Sequence, residues 1–136
     1  MDIIETMNET MAMANLDIAI DQLKRRLNCG RFPLHKRDVN WAIACCVYSR
    51  FIHVIIWHDL IPRKEVKDNI IPLLEEAGKE VGKLEDITRF NQTEKETIIH
   101  AKKNINFRID NLSLNYLNRK PSDFPPEAIE IQPIAV

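Results

Sequence analysis

The sequence predicts an all-α, four-helix bundle-like single domain followed by an extended, proline-rich C-terminal tail. The chain has 136 residues, with only three glycines and two tyrosines, and its apolar residues recur at intervals of three and four, as in helices. Its length suits one domain, residues 1–120, and a tail, residues 121–136. With 45% hydrophobic and 29% charged residues, the composition is typical of a globular domain in water.

The first predicted helix covers residues 2–29 and precedes Gly30, a residue type that commonly follows helix ends. It carries two apolar stripes that are out of phase, one of Ile4, Met7, Met11, Ala14 and Ile18, the other of Leu16, Ile20, Leu23 and Leu27. Two interpretations follow. The helix is continuous with two buried faces, or it breaks near Asn15, which would cap a new helix.

The second predicted helix covers residues 39–61 and is the most apolar part of the chain. Asp38 is expected to cap its start, and Pro62 to end it, because proline disfavours helical angles at the preceding residue. The run is long enough to cross a bilayer, but Arg50 and His53 lie near its middle, where charge is costly in lipid. We therefore predict a central bundle helix and no membrane contact.

The third predicted helix covers about residues 63–85, and Pro72 predicts a kink or short break inside it. Its apolar face consists of Val66, Ile70, Leu73, Ala77, Val81 and Leu84. Gly78 and Gly82 are four residues apart on the same helix. Because neither carries a side chain, we expect a neighbouring helix to approach closely there.

The fourth predicted helix extends from about residue 93 to residue 119, since Pro121 prevents its continuation. Its start matches a capping box, because Thr93 is followed three residues later by Glu96. Its apolar face consists of Ile98, Ile105, Ile109, Leu112 and Tyr116. The tail contains four of the seven prolines and several aliphatic residues, so we expect it to lie extended along the bundle or a neighbouring subunit.

The charges of the first 37 residues are segregated, although the formal net charge of the chain is only −1. Residues 1–21 contain no Lys or Arg, whereas residues 24–37 contain six cations and no acid. Such a cluster creates a local positive field, and Arg suits carboxylate and phosphate groups. The predicted binding site for an anionic ligand or an acidic protein partner consists of Lys24, Arg25, Arg26, Arg31, His35, Lys36 and Arg37.

A second interpretation of this cluster is purely structural. Cations near a helix C-terminus stabilise the helix dipole, and the cluster would also pair with the acidic first segment of another subunit. The near-neutral total charge excludes a generally cationic nucleic-acid coat, while a nucleotide or nucleic-acid phosphate remains among the predicted partners.

Neither the cysteines nor the histidines match a metal, redox or nucleophile motif. The three cysteines lack Cys-x-x-Cys spacing, and the neighbours Cys45 and Cys46 point about 100° apart on a helix. His53 and His58 are five residues apart and do not form the His-x-x-x-His pair of zinc proteases. We therefore predict reduced thiols in a cytoplasmic protein, without a metal, a cofactor or an assigned catalytic residue.

The alternative function depends on an acidic stretch in the third helix, Glu75, Glu76 and Glu80. Glu76 and Glu80 are four residues apart and share a helix face, as two oxygen ligands of Mg²⁺ would. The stretch is similar in part to all-α nucleoside-triphosphate pyrophosphohydrolases of the MazG type, which hold Mg²⁺ with paired Glu residues and a Glu-x-x-Asp on the next helix. Here the spacing is one residue off, and the next helix has Asp110 but no Glu-x-x-Asp.

The second predicted helix is apolar over more of its circumference than a four-helix monomer covers. Large exposed apolar surfaces mark interfaces, and homodimers are the most common closed arrangement. We therefore predict a homo-oligomer, in the simplest case a dimer, with Trp41, Phe51, Ile55 and Trp57 at the interface.

These observations predict a non-enzymatic binding or regulatory protein. Small helical proteins rich in Ile and Asn, without a catalytic signature, include inhibitors and adaptors of phages and mobile elements, and we expect a role of that kind. A Mg²⁺-dependent nucleotide hydrolase and a purely structural subunit are the alternatives.

Overall fold

Four helical segments make up the part of the chain that the computed structural model describes, residues 3–28 and 38–119, and no strand occurs within it. The first two segments are α1 (Ile3–Leu27) and α2 (Val39–Ile56). The third is continuous and comprises α3 (Arg63–Glu65), a π-helical turn (Val66–Ile70), α4 (Ile71–Gly82) and a 3-10 turn (Lys83–Asp86). The fourth comprises α5 (Gln92–Asp110) and a π-helical end (Asn111–Tyr116). The all-α prediction is confirmed, whereas the bundle arrangement stays a prediction and the tail lies outside the described residues.

Helix α2 lies between α1 and α5, and α4 packs mainly against α5. Helices α1 and α2 pack side by side, and the Trp41 indole at the start of α2 donates to the Arg26 carbonyl near the end of α1, at 3.1 Å. The two helices therefore run antiparallel. Helices α2 and α5 run parallel, because Cys46 contacts Asn104 and, further along both helices, His53 contacts Asn111. Helix α2 therefore has two main helical neighbours, and it also has a smaller contact with α4.

The core contains the apolar faces that the helical spacing predicts. Every member of the predicted face of the third segment is buried, as are Ile98, Ile105, Leu112 and Tyr116 of the fourth. Helix α1 is continuous, so it does not break near Asn15, which is buried inside it. Of its two stripes, the one containing Leu16, Leu23 and Leu27 is buried, whereas Ala14 of the other is exposed.

Polar residues define the helix starts. Asp38 caps α2 as predicted, since its carboxylate accepts from the Asn40 backbone N–H at 2.9 Å. The capping box of α5 is real, but its predicted position is wrong. Asn91 and Glu94 form it with two reciprocal side-chain to backbone bonds of 2.8 and 3.0 Å. Thr93 already lies inside the helix, because Asn91 is the stronger capping residue.

The third segment stays helical through Pro72, so the predicted break does not occur, whereas the close approach predicted at Gly78 is present. Pro72 has no N–H to donate, and the π-helical turn directly before it adjusts the backbone, with the Ile71 N–H donating to the Val66 carbonyl. A Cβ atom on Gly78 would lie 2.9 Å from Asn106 Oδ1 and 3.4 Å from Ile105 Cγ2. Helices α4 and α5 therefore approach closely at Gly78.

Candidate functional site

The described part of the predicted cationic site is the last turn of α1, with Lys24, Arg25 and Arg26. The other predicted members, Arg31, His35, Lys36 and Arg37, lie outside the described residues. Lys24 and Arg25 are exposed. Arg25 Nε lies 2.9 Å from Asp21 Oδ2, and the two side chains are 70% and 56% exposed. Such an exposed pair contributes at most about 1 kcal/mol, so Arg25 is able to exchange Asp21 for a carboxylate on a partner.

Arg26 has a structural role instead. It is half-buried, and its guanidinium carbon lies 5.8 Å from the centre of the Tyr48 ring on α2, within range of a cation–π contact. Its carbonyl also accepts the hydrogen bond from Trp41. Arg26 therefore holds the end of α1 against α2 and offers less surface to a partner than Lys24 and Arg25 do.

Acidic residues occupy the same face of α1 as these cations. Asp17 and Asp21 are exposed. Asp21 precedes Lys24 and Arg25 by three and four residues, and Asp17 precedes them by seven and eight, so all four side chains lie on one side of the helix. The exposed face of α1 thus changes from negative to positive along its length. A continuous polyanion on this face would meet both carboxylates, whereas a protein surface of mixed charge would not be repelled.

The four predicted interface residues occupy different environments. Trp41, Ile55 and Trp57 are buried inside the chain, at 4%, 2% and 7% exposure, and they supply no surface for a partner. Phe51 is exposed, and Ile43 and Val47 join it at intervals of four residues. The prediction is therefore wrong for Trp41, Ile55 and Trp57, which fill the core of the chain, and the exposed apolar stripe of α2 consists of Ile43, Val47 and Phe51.

Helix α5 and its π-helical end add three more exposed apolar side chains, Ile99 at 37% exposure and the more exposed Phe107 and Leu114 at 59% and 68%. Phe107 and Leu114 lie seven residues apart and therefore on one side of the helix. That side faces away from the buried Ile105 and Leu112, just as the exposed stripe of α2 faces away from the core. Since α2 and α5 are parallel neighbours, both stripes belong to one outer side of the molecule.

Among the described residues, α2 is the one helix long and apolar enough to cross a membrane. Half of this stretch is buried inside the chain. The core helix of a soluble protein has the same length and composition, so this property is weak evidence for a membrane span.

The acidic stretch behind the alternative function does not form a metal site. Glu75 and Glu76 are exposed, and Glu80 accepts a hydrogen bond from Lys83 at 3.1 Å. Within residues 3–28 and 38–119, no three His, Cys, Asp or Glu side chains are grouped to hold a metal ion. The carboxylates that Mg²⁺ would need are therefore not brought together in this part of the chain.

A buried polar network between α2 and α5 was not anticipated from the sequence. His53 is 1% exposed. The Arg108 guanidinium donates to His53 Nδ1 at 2.9 Å, and His53 Nε2 lies 2.8 Å from Asn111 Oδ1. Because Arg only donates, Nδ1 must accept and Nε2 must carry the hydrogen, which makes the imidazole neutral. Asn111 Oδ1 accepts a second bond from the Trp57 indole at 2.9 Å.

The network continues towards the start of both helices. Asn104 Oδ1 accepts from the Cys46 thiol at 3.4 Å and lies 3.5 Å from Arg108 Nε. Burial raises the pKa of Cys46 and outweighs the nearby charges of Arg108 and Arg50, so the thiol keeps the hydrogen that it donates. The spacing of Asn104, Arg108 and Asn111, four and then three residues, is the signal from which one shared face could have been predicted.

A second polar cluster joins the turn after α2 to the end of the fourth segment. Asp59 has a positive φ of 59°, a conformation that Asp tolerates better than most residues. Its carboxylate accepts from the Tyr116 hydroxyl at 2.9 Å and pairs with the Arg119 guanidinium at 2.6 Å. Burial alone would raise the pKa of Asp59, but these bonds and the charges of Arg119 and Arg63 hold it below its ordinary value. Burial of the Tyr116 hydroxyl is the main cause that raises its pKa to about 12, and the hydrogen bond to the negatively charged Asp59 adds to the increase.

Replacement of Asp59 is expected to change how stability depends on pH. Since the pKa of Asp59 is lower in the folded state, its ionised form stabilises the fold above the unfolded pKa of about 3.9, and this contribution is lost as the pH falls through the folded pKa. We expect Asp59→Asn to lower the free energy of unfolding by about 1 kcal/mol at pH 7, and by less at pH 3. Urea denaturation at both pH values measures this, with the exposed Asp86→Asn as control. An equal loss for Asp59→Asn at both pH values would contradict it.

The cationic end of α1 is thus the exposed, charged surface among the predicted sites, whereas the two polar clusters hold helices together. Comparison of the chain with models of protein families, with curated proteins and with solved structures finds no match.

Proposed function

We propose that the protein is a non-enzymatic binding protein that engages an acidic protein surface through the cationic end of α1 and the segment that follows it, residues 24–37. The observation that carries the proposal is the exposure of Lys24 and Arg25 at the end of α1, followed in the sequence by Arg31, Lys36 and Arg37 with no acid between them. Charges placed in this way speed association and select partners of opposite sign.

An acidic protein fits this surface better than a nucleic acid does. A nucleic acid carries closely and regularly spaced phosphates, and the exposed Asp17 and Asp21 on the same face would repel them. A protein partner is able to place its carboxylates opposite Lys24 and Arg25 only. The formal net charge of −1 also gives no general attraction for a polyanion.

The binding function is tested by removal of the two exposed cations. We expect Lys24→Ala/Arg25→Ala to weaken binding of a fluorescent Glu-rich peptide roughly tenfold, because two exposed charge contacts of about 0.7 kcal/mol each make up one decade in Kd. Fluorescence anisotropy at low and moderate salt measures Kd. The matched control, Lys79→Ala/Lys103→Ala, removes two exposed cations on α4 and α5 and is expected to bind like the wild type. An equal loss in both variants, or tighter binding of a DNA duplex than of the peptide, would contradict the proposal.

We further propose that the protein acts as a homodimer through the outer side of α2 and α5. The contacts of Cys46 with Asn104 and of His53 with Asn111 show that residues of α2 and α5 lie at the same height along the helices when their numbers differ by 58. The numbers of the exposed Arg50 and Asp110 differ by 60. These two residues are therefore displaced along the helices by only two residues, about 3 Å. A twofold arrangement that sets α2 of one copy against α5 of the other brings these opposite charges together around the apolar stripes.

Val47→Asp is expected to shift the dimer towards the monomer, since Val47 lies in the middle of the α2 stripe and an unpaired charge in an interface is costly. Size-exclusion chromatography with light scattering measures the mass against that of one chain, 15.9 kDa. Thr88→Asp, at an exposed position outside α2 and α5, is the control and is expected to stay dimeric. A monomeric wild type at micromolar concentration would refute the dimer.

A further inference from the structure

An open cleft lies where the third segment begins and the fourth segment ends. It has a volume of about 630 Å³ and is lined by Arg63, Lys64, Lys67, Asp68, Ser113, Leu117 and Asn118. This volume falls within the range of small-molecule sites. The lining contains three cations and one carboxylate, all on the wall formed by the third segment, which leaves two positive charges.

The acids near this cleft have other partners. The carboxylate of Asp59 is bound by Tyr116 and Arg119. Glu65, which follows Lys64 in the chain, accepts from the Asn69 amide at 2.8 Å. Neither acid lines the cleft, so Asp68 is the carboxylate that remains there to offset the cations.

Arg63 is held in place before any ligand binds. Its Nη1 donates to the Arg119 carbonyl at 3.1 Å, and its guanidinium carbon lies 5.9 Å from the centre of the buried Tyr116 ring. A guanidinium has five N–H donors, so this single bond leaves several for an anion. A donor that is already fixed loses little conformational entropy on binding.

The opposite wall adds neutral hydrogen-bond donors and an apolar contact. Ser113 contributes a hydroxyl group, and Asn118 contributes a side-chain amide of which one hydrogen is donated to the Leu114 carbonyl at 3.1 Å. Leu117 provides the apolar part of the lining. A tetrahedral oxyanion between the walls would therefore accept from cations on one side and from a hydroxyl and an amide on the other.

We propose that this cleft binds the phosphate group of a small phosphate monoester. A phosphate monoester carries about −1.5 to −2 charges at pH 7, which matches the two positive charges of the lining. The cleft is larger than one phosphate ion, so it has room for the organic part of the ligand beside Leu117.

This site is separate from the cationic end of α1. The cleft lies near the end of α2, whereas Lys24 and Arg25 lie near its start. The 18 residues of α2 at 1.5 Å each separate the two regions by about 27 Å. Phosphate binding in the cleft is therefore independent of the proposed binding of an acidic protein at the end of α1, and each proposal is tested separately.

Backbone amide NMR of the ¹⁵N-labelled full chain tests the proposal, with inorganic phosphate, adenosine 5′-monophosphate and adenosine as probes at matched ionic strength. We expect both phosphate compounds to give saturable shifts of the amide signals of residues 63–68 and 113–118, and adenosine to give none there. Residues 24–28 are expected to stay unchanged.

The charge requirement is tested with two double variants. Lys64→Ala/Lys67→Ala is expected to weaken the binding of adenosine 5′-monophosphate at least roughly tenfold, whereas Lys79→Ala/Lys103→Ala is expected to bind like the wild type. Ser113→Ala keeps every cation and is expected to weaken binding severalfold. Absence of saturable shifts at the cleft, equal shifts with adenosine, or an equal loss in the control variant would overturn the proposal.

Discussion

His53→Ala is expected to lower the free energy of unfolding by about 3 kcal/mol, a large share of the roughly 5–15 kcal/mol that holds a domain of this size together. The imidazole is 1% exposed, so its removal leaves a cavity between α2 and α5. It also removes the acceptor of the Arg108 bond and one donor to Asn111. A buried donor that loses its acceptor costs about 1–3 kcal/mol by itself.

Two further variants separate these causes. His58→Ala removes an exposed histidine just after α2 and is expected to change stability by less than about 0.5 kcal/mol. His53→Gln retains a side-chain carbonyl that is able to accept from Arg108, and we expect it to recover part of the loss. Urea denaturation followed by circular dichroism measures all three variants. A change below about 1 kcal/mol for His53→Ala would show that the network contributes little to stability.

Tyr116→Ala is expected to be the most destabilising single substitution at the end of the molecule, with a loss of about 3–5 kcal/mol. The side chain is fully buried, and its ring meets that of Trp57 edge to face with centres 5.2 Å apart. The guanidinium groups of Arg63 and Arg119 lie 5.9 and 5.4 Å from the ring centre. The ring thus joins the turn after α2, the start of α3 and the end of the fourth segment.

Tyr116→Phe distinguishes the ring from its hydroxyl group. It keeps the contacts with Trp57 and the two guanidinium groups but loses the bond to Asp59, so we expect a loss of about 1 kcal/mol. Thermal and urea denaturation of Tyr116→Phe, Tyr116→Ala and the wild type measure the order of stability. If Tyr116→Phe were as unstable as Tyr116→Ala, the hydroxyl bond and not ring packing would be the main contribution.

The local signals in the sequence located the helices well. The Asp38 cap, the π-helical turn before Pro72 and the close approach at Gly78 each depend on the chemistry of one residue within its own helix or turn. The predicted capping box was displaced by two residues, because Asn91 competes with Thr93 for the cap and the sequence shows both. Helix α2 ended earlier than predicted, since the turn at Asp59 depends on Tyr116 and Arg119, which are distant in sequence.

The candidate sites were predicted less completely. Charge segregation located the cationic end of α1, and the exposure of Lys24 and Arg25 agrees with a surface role. The cleft at Arg63 was missed, because its two walls come from residues about 50 positions apart. Neither wall is unusual in the sequence. The cations all belong to one wall, and the cleft exists only where the two walls meet.

The sequence by itself determined that the described residues are helical, approximately where the helices start, and which faces of the third and fourth segments are apolar, because these properties depend on neighbours within one or two turns. The tertiary structure decided what covers each apolar face. It buries Trp41 and Trp57 inside the chain, leaves Val47 exposed, and pairs His53 with Arg108. The spacing of apolar residues predicts that a helix face is buried. Which residues cover that face depends on packing between helices that are far apart in the chain.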